Sequence, residues 1–133
     1  MNYYGTGRSN YFRVKDVEAF AAFIEPLPLT LLPSNVEGMF ALICENDDGR
    51  LPDCLWNDEG EQVEFDFVGE MKKHLDDDQV FVHIDAGSEG HRYIDGSATA
   101  FDNTDAPEAY ISLNDIYDRA ANAFGKPVTG AEY

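Results

Sequence analysis

The apolar positions of this chain change period several times, and each change marks a boundary. Asn10-Tyr11-Phe12-Arg13-Val14 is rich in aromatic and β-branched residues, the composition of a short strand. From Val17 the spacing turns helical. Val17, Phe20, Ala21, Phe23 and Ile24 share one side of a helix over 17–25, with Asp16 placed to cap it and Pro26 and Pro28 to end it. Leu29–Leu32 is apolar but flanked by prolines, so it reads as an edge strand or extended loop. Gly38–Cys44 is nearly unbroken apolar sequence, as in a central strand buried on both faces.

The pattern then becomes polar. Asn46-Asp47-Asp48-Gly49 and Asn57-Asp58-Glu59-Gly60 have turn chemistry, and Asp53–Trp56 between them reads as a strand. Phe67, Val68, Met71 and Leu75 predict a helix over about 66–75, followed by Asp76-Asp77-Asp78. Gln79–Ala86 alternates, with Val80, Val82 and Ile84 on one side and Phe81, His83 and Asp85 on the other, so it is a half-buried strand. A turn at Gly87–Gly90 leads into a second strand over His91–Phe101, completing a hairpin. The last helix is the clearest: Ser112 caps it, Leu113, Ile116, Tyr117, Ala120, Ala121 and Phe124 line one side, and Gly125 stops it.

Together these elements predict an α+β fold, an antiparallel or mixed sheet of about four to six strands with three helices on one face. At 133 residues the chain fits one domain. We divide it into a flexible N-terminal arm over 1–9, the α+β domain over 10–125 and a C-terminal tail over 126–133. An edge strand could pair two copies as a homo-oligomer.

Charge changes the picture most. There are 26 acids against 9 bases, a formal net charge of −17. Residues 1–44 are net −1, 45–78 are net −10, 79–118 are net −7 and the last fifteen are net +1. Such a chain is a poor partner for nucleic acid or an anionic membrane. It lacks an apolar run long enough to span a bilayer and a basic-then-apolar leader, and it has two cysteines, Cys44 and Cys54, expected as reduced thiols. These features point to a cytoplasmic protein.

Chemical motifs are sparse. The acidic turns lack the ligand alternation of a calcium loop, and the three histidines show no metalloprotease spacing, so no metal and no cofactor is expected. Cys44 ends an apolar strand and reads as a buried small side chain. The proposed hairpin could bring His83 and His91 together with Asp85 and Glu89, which defines a small-ligand or metal-dependent enzyme alternative. The acid clusters define the leading reading. Asp47, Asp48, Asp58, Glu59, Glu61, Glu64, Asp76, Asp77 and Asp78 form a candidate partner-binding face whose carboxylates imitate the phosphates of a duplex. A groove built to neutralise phosphates would accept such a face through counterion release and fast, salt-sensitive association.

The segments Ser9–Asp16 and Ile111–Tyr117 resemble a group of small acidic proteins from phages, plasmids and other mobile elements. What that resemblance implies is context. Proteins of this kind often block host defences, as anti-CRISPR and anti-restriction DNA mimics do, and no functional residue carries over. The expected function is thus a non-enzymatic acidic inhibitor of a CRISPR or restriction complex, with a basic protein or nucleoprotein as partner. An immunity protein neutralising a basic toxin is the alternative of the same class, and a charge serving only solubility is the plainest one.

Overall fold

The computed structural model describes residues 3–52, 54–56 and 59–131. The chain runs β1 (Tyr4–Ser9), β2 (Phe12–Arg13), α1 (Val17–Ile24), β3 (Leu29–Pro33), β4 (Met39–Cys44), β5 (Cys54–Trp56), β6 (Gln62–Glu64), α2 (Phe67–His74), β7 (Phe81–Glu89), β8 (Tyr93–Phe101), β9 (Ala109–Ser112) and α3 (Asp115–Phe124). The fold is α+β, with more strands than the sequence suggested. Seven strands form one antiparallel sheet, and β5 with β6 makes a separate two-stranded ribbon.

β4 organises one half of the sheet. Along one edge it pairs β3, from Leu29 opposite Cys44 to Pro33 opposite Phe40. Along the other it pairs β1 and β2 in succession, Gly7 opposite Cys44 and Phe12 opposite Phe40. β3 is thus an edge strand, as its prolines require. The sheet continues from β1 through β7 and β8 to β9, the opposite edge.

Residues 4–9 are a correction to the expected arm: β1 lies inside the sheet between β4 and β7. Its glycines explain both the misreading and the structure. A Cβ at Gly7 would lie 1.9 Å from the Gly49 carbonyl oxygen, so the 46–49 turn can close over β1 only where a side chain is missing. Gly87 serves likewise. Expected in the turn, it is paired inside β7, and its missing Cβ admits the Tyr3 hydroxyl. The reversal falls instead at Gly90, which has φ +57°.

The helices form because their ends are satisfied. The Asp16 carboxylate accepts from the Ala19 amide at 3.2 Å and Asp66 from Gly69 at 3.0 Å, capping α1 and α2. α3 starts later than expected, at Asp115, whose carboxylate accepts from the Ser112 amide at 2.9 Å, and Gly125 ends it at φ +63°. α1 and α2 cover one face of the sheet. Phe12, Phe20, Leu42, Met71, Leu75 and Phe81 are fully enclosed there. Phe12 meets Phe20 edge-on at 5.6 Å and Phe81 at 5.3 Å, and Phe81 meets Phe101 at 5.0 Å. Each enclosed side chain contributes roughly 1.5–3 kcal/mol.

Candidate functional site

Strand register assigns every side chain of the large sheet to one of two faces. Phe81, His83, Asp85, Gly87 and Glu89 point to the helical side, with Ser9, Gly7 and Gly5 opposite His83, Asp85 and Gly87. Val82, Ile84 and Ala86 point the other way. The three carboxylates inside strands of this sheet, Asp85, Glu89 and Asp95, all lie on the helical side. The outer face carries none within its strands. Glu45, just past β4, accepts from the Thr30 hydroxyl at 2.6 Å at the rim.

Beyond the phenylalanine core, the helical face turns polar and is closed by the 46–49 turn. That turn is held by the Gly5 amide, which donates to the Asp47 carbonyl at 2.6 Å, and by His83, whose Nε2 lies 3.0 Å from the Gly49 carbonyl. His83 is buried. With Nε2–H directed to Gly49, Nδ1 is left to accept the Cys44 thiol 4.0 Å away. Asp85 Oδ2 stands 3.5 Å from Nε2 and accepts from the Ser97 hydroxyl at 3.2 Å. Next to this group Tyr3 stacks on Tyr93 at 5.9 Å, and Arg50 reaches Asp95 at 3.9 Å.

This order of thiol, imidazole and carboxylate invites comparison with a nucleophilic triad, and the electrostatics run against it. Burial, helped by the charges of Asp85, Asp48 and Glu45, pushes the Cys44 thiol up to about 12. Burial also lowers His83, against the opposing pull of Asp85. Both groups are therefore neutral, whereas a reactive thiolate needs a cation or helix N-terminus beside it. The network joins the turn to the sheet.

The His83–His91 cluster does not form. His83 faces Thr99, while His91 lies in the turn beyond Glu89, about 20 Å farther along the hairpin. Among the described residues, no group of three or more His, Cys, Asp or Glu side chains is arranged to hold a metal. Nor is any described helix long and apolar enough to cross a membrane.

The candidate acids occupy three places. Asp47 and Asp48 sit on the turn over β1. Glu59, Glu61 and Glu64 are exposed on the β5–β6 ribbon, which leads through Phe65 onto Phe23 of α1 and Phe67 of α2. Asp76, Asp77 and Asp78 follow α2. The eight-residue helix, about 12 Å long, separates them in the chain from Glu64. Asp58 lies outside the described residues. All eight described acids thus belong to segments on the helical side or at its end, in three groups and not one continuous stretch. Asp77 accepts from Asn103 at 2.8 Å and lies 3.6 Å from Lys15, contacts that lower its pKa.

Two features escaped the sequence. One is the Tyr3, Arg50 and Asp95 group, assembled from three distant segments. The other is a broad apolar outer surface. Ile84 is 56% exposed, Ile111 58%, Ile116 60% and Phe124 73%. Its signal was present in the alternation of Val80, Val82 and Ile84, which the structure turns to the open side.

Comparison with family models, with curated proteins and with solved structures gives no match.

Proposed function

We propose that this protein is an acidic inhibitor that occupies the basic, nucleic-acid-binding groove of a host defence complex of CRISPR or restriction type. The observation that supports this reading is asymmetry. Nine bases cannot neutralise 26 acids, and the outer sheet face takes none of the excess within its strands. Residues 45–78, which hold the turn, the ribbon and α2, carry net −10 of the −17. There the carboxylates are mounted on short, capped or hydrogen-bonded elements, so little ordering remains to be done on docking. A groove that releases counterions when it binds phosphate gains in the same way from these side chains.

The test is displacement of a labelled duplex from a purified CRISPR effector or restriction enzyme. The parent chain should compete with the DNA. The variant Glu59→Lys, Glu61→Lys, Glu64→Lys, Asp78→Lys should compete at least tenfold less well at about 0.15 M salt, with unchanged far-ultraviolet circular dichroism. Equal competition by this variant removes the proposal. Failure against both complexes, with tight binding to a basic nuclease toxin, transfers the same surface to an immunity role.

A further inference from the structure

The outer sheet face and α3 each lack what the other supplies. α3 is amphipathic, with Ile116, Ala120 and Phe124 in a row at i, i+4 and i+8, yet none of its residues is buried. The sheet presents a groove of about 300 Å³ floored by Ile84, Ala86, Gly96, Ala98 and Ile111 and walled by Leu113. Within one copy, Leu113 folds back onto Gly96, its amide donating to the Gly96 carbonyl at 2.9 Å. The helix that follows leaves its apolar row uncovered. An antiparallel sheet with one open face normally shows polar side chains there.

From this juxtaposition we infer that the face is a two-fold interface between two copies of this chain, α3 of each seated on the outer sheet face of the other. A second copy is the occupant because both complementary parts lie on the same chain, the condition for an isologous contact. Charge agrees. Two molecules of net charge −17 repel each other; the outer face has no carboxylate within its strands, and the two on α3, Asp115 and Asp118, lie on the side of the helix away from the Ile116–Phe124 row, so this is where the molecules approach at least cost. Area agrees as well. Ile84, Ile94, Ile111, Leu113, Ile116 and Phe124 are each more than half exposed. At on the order of 100 Å² apiece they approach the roughly 800 Å² per partner of a stable interface. β9, whose other edge pairs no described strand, borders the same surface.

This inference is independent of the acidic docking reading, because it concerns the opposite face and the opposite response to salt. The experiment is sedimentation equilibrium of the full chain between about 5 and 500 µM, at about 0.05 and 0.5 M salt. The expected result is a dimer that tightens as salt screens the repulsion. Ile111→Lys and Phe124→Glu should each raise its Kd at least tenfold with unchanged far-ultraviolet circular dichroism, since both side chains are exposed in the single copy. A chain that is monomeric at high salt overturns the inference. So does a dimer that loosens as salt rises, or one that keeps its affinity in either variant.

Discussion

Replacing Gly7 with alanine tests the joint between the acidic turn and the sheet. The new Cβ would stand 1.9 Å from the Gly49 oxygen and 2.8 Å from its carbon, inside any allowed contact. β1 cannot yield easily, because it is paired to β4 on one side and β7 on the other. The turn must lift instead. Overpacking of this kind costs about 1–3 kcal/mol. Lifting also gives up the Gly5–Asp47 and His83–Gly49 hydrogen bonds, about 1 kcal/mol each, and threatens the enclosure of His83. The expected loss is about 3–5 kcal/mol from a total of about 5–15 kcal/mol. In urea, monitored by circular dichroism, the midpoint should fall by about 2 M. Gly60→Ala is the comparator. Gly60 has φ +77° with nothing within 4 Å of a Cβ, so its loss reflects backbone strain alone, about 1 kcal/mol. If Gly7→Ala costs no more than Gly60→Ala, the packing of the turn against β1 is not what holds it.

Titration of His83 gives a second prediction. Its folded pKa lies below the unfolded value near about 6.5, so the unfolded chain binds more protons and stability falls as pH drops below that value. His74 is lowered by burial too and adds to the same window, while Asp77 and Asp102, lowered by hydrogen bonds, act at more acidic pH. His83→Gln keeps a donor for Gly49 and removes the titration. Unfolding free energies between about pH 7 and 5 should fall less in this variant than in the parent. Parallel curves would contradict a buried neutral His83. The third prediction concerns Cys44. With its thiol raised to about 12 from 9.0, the thiolate fraction is about a thousandfold lower than in an open chain. Iodoacetamide at pH 8, followed residue by residue by mass spectrometry, should label Cys44 rapidly only after denaturation. Native labelling at the rate of a free thiol would refute its enclosure.

The helices and inner strands were legible because their signals are local. Asp16, the spacing of Phe20 and Ile24, and the prolines after α1 all act within a few residues. The unbroken apolar run of β4 likewise showed a strand between two others. What was hidden depends on distant partners. Gly5 and Gly7 look like a loop in sequence, and only the approach of Asp48 to the first and Gly49 to the second, from some forty residues away, makes them obligatory in a strand. β9 is too short and plain to announce itself and exists because Ala109–Ser112 finds β8. The acid patch was visible as composition, but α2 divides Glu64 from Asp76, a separation that no count of charges reveals. The apolar face of β7 was read correctly as alternation. Which face would be covered depended on where α1 and α2 came to rest.

The central claim is that the displaced negative charge docks a basic groove, and the salt dependence of that docking tests it most directly. Binding of the parent chain to the immobilised defence complex would be measured from about 0.05 to 0.2 M salt. Kd should rise at least tenfold across this range, and the slope should flatten in the variant with four reversed charges. A Kd indifferent to salt, or an equal slope in parent and variant, would contradict the claim.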